Sequence, residues 1–447
     1  MNDRIKITMP PKVKQIVGKL QDAGFEAYAV GGCVRDSILG TEPNDWDICT
    51  SAKPEETKEV FEGSYHVIET GLKHGTVTIV VDKKPYEITT YRVDGEYKDN
   101  RRPEEVCFVT DLRADLARRD FTINALAYNH EDGMQDYYDG QKDLDAGIVR
   151  CVGNPNKRFQ EDALRILRAL RFASVLGFDI EEGTARALRE EKSLLNNIAK
   201  ERIQVELVKL LLGDGAKDIL LEYSDVLEVV IPEIKDMVGC EQYNPHHCYD
   251  VWEHTLTALQ YTPKNKVLRL ATLLHDSGKP KTFTRDEQGV GHFYGHGAVS
   301  QEIAYKVMND LRFDNETKHD VCQLVKHHDG IVIGEPKYVK RWLNKLGLEQ
   351  FKRLLKIKYA DMMGQSEYER EAKLAKLKRL EEVLEIVLSE EQCFSLKHLA
   401  VNGRDLINMG VKDGKKIGRI LDKLLEEVID GKIDNQKEVL LGRVSNI

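Results

Sequence analysis

No stretch of this 447-residue chain carries the roughly eighteen consecutive apolar residues that a membrane-crossing helix requires. The N-terminus MNDRIKITMPPKVK also lacks the apolar segment of a secretion signal. Both absences predict a cytoplasmic protein with no membrane partner. The eight cysteines, at 33, 49, 107, 151, 240, 248, 322 and 393, include no CxxC pair, which excludes a disulfide framework or zinc knuckle and predicts reduced thiols. Positive charge is in deficit: 66 Lys and Arg against 75 Asp and Glu leave a net charge of −9. That argues against a diffuse nucleic-acid-binding surface and leaves room only for local basic patches. The sequence also shows no internal repeat and no low-complexity tract.

What is present is length and pattern. A chain of 447 residues, 41% hydrophobic and 32% charged, is too long for one core and predicts two to four domains. Residues 10–92 alternate: a helix from Pro10 to about Ala23, a strand AYAV, a short helix CVRDSIL, a strand DWDICT, a helix from Pro54, then strands HGTVTIVVD and YEITTYR. From Asn156 onward apolar residues recur at helical spacing, as in EDALRILRALRFASVLGF, ERIQVELVKLLL and EIAYKVMNDLRF. The predicted class is α+β, an α/β head followed by helices alone. Gly, Pro, Asn and Ser gather near 150–157, 240–247 and 362–370, which predicts segments 1–150, 151–240, 241–365 and 366–447.

Chemistry concentrates in GGCVRDSILGTEPNDWDICT, Gly31 to Thr50. On a strand, Asp45 and Asp47 share a face while Trp46 points away. Two carboxylates so placed suit Mg²⁺, which takes few protein ligands and keeps room for water and phosphates. Glu87 in YEITTYR offers a third carboxylate. Gly31 and Gly32 follow a strand and open a helix, where backbone N–H groups can approach a triphosphate, and Arg35 follows in the first turn. A lone DxD or GG is common on turns; the ordered set points to nucleotide transfer.

GGCVRD, DWDICT, the strand glutamate, RRDFTINALAY (Arg118–Tyr128), DGQKDL (Asp139–Leu144) and EDALRILRALRF (Glu161–Phe172) resemble successive motifs of the class II tRNA nucleotidyltransferases. These are the CCA-adding enzymes, which share their head with bacterial poly(A) polymerases. The resemblance continues through the tail LAVNGRDLINMG and IGRILDKLLEEVIDGKIDN. It implies transfer of CMP, CMP and AMP from CTP and ATP to the 3′ end of tRNA, with Asp45, Asp47 and Glu87 catalytic. The four segments become head, neck, body and tail, with RNA binding implied for the neck and tRNA binding for the tail. Arg119, Asp120 and Asn124 resemble residues that hold ribose and phosphate, with Arg118 and Thr122 beside them. The charged connector from Thr90 to Arg118 matches a loop that reshapes the pocket between C and A addition, and its completeness favours an enzyme adding all three nucleotides.

Cytosine and adenine both present an amino donor beside a ring-nitrogen acceptor, whereas uracil and guanine present a carbonyl beside an N–H. An acceptor next to a donor therefore selects C and A, worth about 1–3 kcal/mol for a good bidentate contact. Asp162 and Arg165, three apart, share a face on a continuous helix. The resemblance assigns them this role, with Glu161 holding the arginine; the plain alternative is a surface ion pair. Arg165, Arg168 and Arg171, with Arg158 one heptad earlier, form a basic stripe suited to triphosphate or RNA backbone.

A second constellation follows: His254, His275-Asp276, His296, His327-His328 and Asp361. Its order looks like an HD phosphohydrolase domain. The resemblance implies a transition metal of the Ni²⁺, Mn²⁺ or Co²⁺ type on His254, His275, Asp276 and Asp361. His296 and His328 would complete a second site, with His327 the alternative ligand, and Lys279 would meet phosphate. It further implies phosphodiesterase or phosphatase activity. Residues 337–358 hold eight Lys or Arg against Glu349 alone, a local charge of +7, with Tyr338, Trp342 and Phe351 interleaved. Two amphipathic helices closing the domain, or contact with tRNA backbone, both fit that pattern. The competing readings of the whole chain are an A-adding nucleotidyltransferase or poly(A) polymerase, a nucleotide-signalling synthetase and hydrolase, and an RNA-binding scaffold.

Overall fold

The computed structural model describes residues 6–72, 75–95, 106–390 and 392–444, in two compact units, Met1–Pro232 and Glu233–Ile447. The strands of the first unit are β1 (Ala27–Val30), β2 (Ile48–Thr50), β3 (His66–Gly71), β4 (Thr76–Val81), β5 (Lys84–Thr90), the paired β6 (Arg92–Asp94) and β7 (Val106–Phe108), β8 (Leu126–Asn129), β9 (Gly133–Asp136), and β10 (Ile148–Val149) beside β11 (Asp179–Ile180). Seven of them form one sheet in the order β3-β4-β5-β2-β1-β8-β9. Its pairs are antiparallel except β2 with β5. Central β1 and β8 are buried at every residue, as strands covered on both faces must be, while β4 alternates half-exposed Thr76, Thr78 and Val80 with buried Val77, Ile79 and Val81.

The helices of this unit are α1 (Pro11–Asp22), α2 (Gly32–Ile38), α3 (Pro54–Phe61), α4 (Leu112–Ala117), α5 (Gly140–Ala146), α6 (Pro155–Glu161), α7 (Leu164–Leu176), α8 (Glu182–Glu190), α9 (Lys200–Leu211), α10 (Ala216–Glu222) and α11 (Ser224–Val230). The second unit runs α12 (Ile234–Met237), α13 (Val251–Tyr261), α14 (Lys266–Leu274), α15 (Lys279–Thr282), a hairpin of β12 (Thr284–Arg285) and β13 (Gly291–His292), then α16 (His296–Asp310), α17 (Asn315–His327), α18 (Pro336–Leu346), α19 (Leu348–Gly364), α20 (Arg370–Ser389), α21 (Gly403–Asn408), α22 (Gly414–Ile429) and α23 (Lys437–Val444). Asp250, Asn265 and Asp314 accept N-terminal amides of α13, α14 and α17, so side-chain caps fix where these helices begin. No described helix is long and apolar enough to cross a membrane.

The mixed architecture agrees with the expected class, and several details differ. The strand expected over DWDICT spans only Ile48–Thr50; the Asp47 carbonyl still accepts from Val30 N–H at 3.0 Å, while Asp45 precedes the pairing. The helix expected through EDALRILRALRF breaks after Glu161. Asp162 is extended (φ −137°, ψ 101°), and its carboxylate accepts the Leu164 amide at 3.2 Å. A short acidic side chain has thus competed with the helix for a backbone donor. The β12–β13 hairpin and β11 interrupt the run expected to be wholly helical. Of the Thr90–Arg118 connector, residues 96–105 lie outside those described; its flanks are β6, β7 and α4 rather than loop.

Candidate active sites

In the first unit, β1 delivers the chain to Gly31, whose φ of +82° and ψ of −131° suit glycine alone. A Cβ there would stand 2.9 Å from Arg119 Nη1, so an absent side chain lets the guanidinium close on the turn. Gly32 has no such constraint: a Cβ there would meet Arg35 at an ordinary 3.7 Å. The Gly31 amide is spent on the Leu126 carbonyl at 2.9 Å, which leaves the next amides of α2 as the open donors at the helix start.

Asp45 and Asp47 are both exposed, with Trp46 half-buried between them. The protein crowding Asp47 raises its carboxyl above the ordinary range; Arg119 opposes that rise and Asp45 adds to it. A carboxylate held beside a second carboxylate favours a cation near it. Asp47 and Glu87 each stand one residue before the parallel Ile48↔Ile88 pair. Among the described residues, the clusters of three or more metal-binding side chains do not include these carboxylates, so Glu87 stands level with Asp47 without closing a cage.

Behind this turn runs a buried polar chain. Arg35 pairs with Asp36 at 2.7 Å and donates to Asn124 Oδ1 at 2.6 Å; Asn124 donates to Asp120 at 3.1 Å; Asp120 pairs with Arg168. Burial works against the Asp120 carboxylate, but Arg168 and Asn124 outweigh it and hold its pKa far below the usual range. Arg35, Arg168 and Arg171 surround the Phe172 ring at 5.0, 5.3 and 3.9 Å. Arg171 pairs with Glu206 at 3.2 Å, yet burial, with Arg168 adding to it, lowers its pKa to about 10. The stripe expected on a helix surface is instead an ion-paired network inside the unit: Arg158 and Arg165 both bind Glu161, at 3.0 and 2.9 Å. Arg118 pairs with Asp115 at 2.9 Å, and the Thr122 hydroxyl donates to Asp143 at 2.6 Å.

Asp162 and Arg165 do not share a helix, and each is held by something else. Arg202, forty residues on in α9, grips Asp162 with two nitrogens at 3.0 and 3.4 Å. Arg165 donates to Glu161, to the Arg158 carbonyl and to the Arg118 carbonyl. Its five N–H groups therefore retain donors, and a carboxylate with about four lone-pair sites retains an acceptor beyond the Leu164 and Arg202 contacts.

The second unit gathers its histidines. Ligand atoms of His254, His275, Asp276 and Asp361 lie within 4.8 Å of one another, as do those of Asp276, His296 and His328. Asp276 joins the sets: Oδ2 lies 3.2 Å from Nε2 of both His254 and His275, and Oδ1 lies 3.3 and 3.4 Å from Nε2 of His296 and His328. Neither oxygen accepts a well-angled hydrogen bond, although Lys279 Nζ stands 2.7 Å from Oδ2. All four rings anchor Nδ1 on a backbone carbonyl, of Gly364, Thr272, Phe293 and Val325 at 2.7–3.1 Å. A carbonyl only accepts, so Nδ1 carries the proton and every Nε2 turns inward as a ligand atom. Burial disfavours charge here, but Asp276 and Asp361 raise His275 to about 10. His328, not His327, faces the cluster; His327 packs edge-on against Trp342.

Much of the basic segment is structural. Arg341 and Lys337 bind Asp430, Arg353 binds Asp320, and buried Lys358 donates to the His328 and Gly330 carbonyls at 2.7 and 2.6 Å. Phe351 is fully buried in the core.

Residues 27–150 match the poly(A) polymerase head domain, and residues 177–238 the family described as "Probable RNA and SrmB- binding site of polymerase A". Residues 282–444 match domain 2 of the tRNA nucleotidyltransferases. The CCA-adding enzyme of Ligilactobacillus salivarius is 36% identical over 439 residues, covering 96% of this chain and 95% of its own. The chain belongs to the CCA-adding enzyme family. The relative in Enterococcus faecalis is 33% identical, with 97% of this chain and 96% of its own covered. Among solved CCA-adding enzymes, that of Bacillus stearothermophilus in complex with CTP superposes with a TM-score of 0.69 at 28% identity, over 98% of both chains.

Arg202 and Glu206 were missed from sequence. Their i, i+4 spacing on α9 was visible, but their partners Asp162 and Arg171 are distant in the chain, and only the packing of α7 on α9 joins them.

Proposed function

We propose that this protein adds CCA to the 3′ end of tRNA from CTP and ATP in the cytoplasm, without a template and with release of pyrophosphate. The observation that carries the reading is end-to-end similarity to CCA-adding enzymes, 36% over 96% of the chain. Asp45 and Asp47 would hold Mg²⁺, which when bound would supply Lewis acidity for an incoming hydroxyl and charge neutralisation for the leaving pyrophosphate. Arg35, Arg168 and Arg171, crowded around Phe172, offer cationic charge to the triphosphate, supported by Arg119, Asp120 and Asn124. Asp162 accepts from the exocyclic amine and Arg165 donates to the ring nitrogen, with Arg202 and Glu161 fixing their aim. The tRNA 3′-oxygen bonds to the α-phosphorus as pyrophosphate departs. Segments 1–150, 151–240, 241–365 and 366–447 serve as head, neck, body and tail, and exposed lysines of α18 and α19 meet tRNA backbone. Replacing Asp45 or Asp47 by alanine tests this: addition stops while tRNA binding persists, and near-normal addition in either variant removes the pair from the mechanism.

A second reading, favoured by the convergence of four imidazoles on Asp276, is metal-dependent hydrolysis of phosphate esters in the second unit. His254, His275, Asp276 and Asp361 would hold one transition metal, and Asp276, His296 and His328 a second, which when bound would supply Lewis acidity to water and phosphate. Lys279, buried beside Asp276, neutralises the phosphate. A water oxygen bonds to phosphorus, the ester P–O bond breaks, and the departing oxygen takes the proton. Protein loaded with Ni²⁺, Mn²⁺ or Co²⁺ that hydrolyses no phosphodiester or phosphomonoester makes the cluster structural.

A further inference from the structure

Short helix α4 is fixed by the same packing that fixes the nucleotide turn. Its Leu112 and Leu116 are buried in one apolar cluster with Val30, which precedes Gly31, Cys49, two residues after Asp47, and Tyr91, just past β5. Close packing of that kind leaves the helix little room to shift. Between those leucines in the chain stands Asp115, a carboxylate only 1% exposed.

The two oxygens of Asp115 are used very differently. Oδ1 accepts from the Arg92 backbone amide at 3.2 Å, from Arg118 Nε at 3.0 Å and from Arg118 Nη2 at 2.9 Å. It thereby ties the start of β6, just beyond the strand that carries Glu87, to the Arg118–Arg119 turn. Oδ2 is buried and accepts no hydrogen bond. What faces it is the Arg119 guanidinium, whose Nη2 stands 3.6 Å away, and the Arg119 Nε is also buried without a partner. Two buried polar groups left unspent cost stability, so folding alone gives no reason for the arrangement.

On its other side that guanidinium meets the turn at Gly31. Arg119 Nη1 lies 2.9 Å from where a Gly31 Cβ would stand, and Val30, one residue back, donates to the Asp47 carbonyl at 3.0 Å. An attraction across 3.6 Å without a directed hydrogen bond fixes position and leaves orientation soft. Arg118 is the opposite case, locked to the same carboxylate by two of its nitrogens.

We infer that Asp115 is a positioning residue for nucleotide binding: it holds Arg119 beside the Gly31 turn by charge, while Arg118 and the Arg92 amide hold Asp115 itself, so that Arg119 can turn its N–H groups to a triphosphate. The inference rests on the transferase reading and extends that site by a residue that touches no nucleotide. A triphosphate is common to CTP and ATP, so Asp115 serves both and leaves base choice alone.

The test compares full-length wild type, Asp115→Asn, Arg119→Gln and the double variant, given tRNA lacking its 3′ CCA with CTP, or tRNA ending in CC with ATP. Asp115→Asn is expected to raise KM for both nucleotides by the same factor, about tenfold, with kcat and tRNA affinity little changed. Since Asp115 acts through Arg119, the double variant should show the KM of Arg119→Gln alone. KM does not depend on how much of a preparation folds. If Asp115→Asn yields no folded protein, Asp115→Glu, which moves the charge by one methylene, takes its place in the cycle with the same non-additivity expected. Unchanged KM in the Asp115 variant, a rise confined to one nucleotide, or factors that multiply in the double variant overturn the inference. A wild type that adds no nucleotide overturns the transferase reading and this inference with it.

Discussion

The two acidic clusters of this chain are built in opposite ways. In the first unit Asp45 and Asp47 are exposed at the approach to a strand, with Glu87 alongside, and no closed cluster forms among them. In the second unit Asp276 is buried, four imidazoles are anchored through Nδ1, and every ligand atom is aimed before any ion arrives. On the proposed reading the first arrangement would leave places for nucleotide phosphates to complete the coordination of a metal. On the same reading the second would hold its ions whether or not substrate is present. A transferase that must release three successive products gains from the open form, and a hydrolase whose water must be ready gains from the closed one.

The sharpest way to break this contrast is Asp47→Ala. Nucleotide addition is expected to fall by at least about a thousandfold, with metal content of the second unit unchanged; equal loss in both would show that the centres are coupled. The reciprocal change, His275→Ala with Asp276→Ala, is expected to remove tightly held transition metal and ester hydrolysis while CCA addition stays near wild type, read by metal analysis and both assays on one preparation.

A third test addresses stability. Asp120→Asn removes the nearer of the two buried carboxylates beside Arg168, leaving Glu206 at 4.0 Å, and is expected to cost about 3 kcal/mol in denaturant unfolding of the first unit. Asp120 has a pKa below its unfolded value, so its contribution is complete above about pH 4 and is lost as pH falls through the lower folded value. The gap between wild type and variant should therefore be constant from neutral pH to about 4 and narrow below it.

The smallest effect concerns base choice. Asp162→Ala should raise UMP and GMP incorporation relative to CMP and AMP by about tenfold, because an unopposed guanidinium donates to carbonyls as readily as to ring nitrogens. Arg202→Leu, which frees Asp162 without removing it, should shift the same ratios less. Wild-type ratios in both, at reduced rate, would make the set structural.

How much was legible follows from range. Gly31, Asp45 and Asp47 lie within seventeen residues, and local pattern sufficed to find them. The histidines were found by residue type and order, although their Nδ1 anchors are backbone carbonyls, which no sequence displays. The base-reading pair was assigned through a helix that is not continuous: Asp162 breaks it to cap Leu164, and Arg202, forty residues away, supplies the grip. The arginine stripe looked like a surface because its partners Asp120 and Glu206 sit on other elements. The β12–β13 hairpin contributes only two residues per strand, too few for alternation to register.

The most direct test of the transferase account uses tRNA lacking its 3′ CCA, with Mg²⁺ and nucleotides supplied singly or together. CTP alone should extend it by two residues, ATP alone by none, and both together by three, after which extension stops. Extension by ATP alone, or a lengthening ladder of adenylates, would contradict CCA addition and identify a poly(A)-type or A-adding activity on the same head.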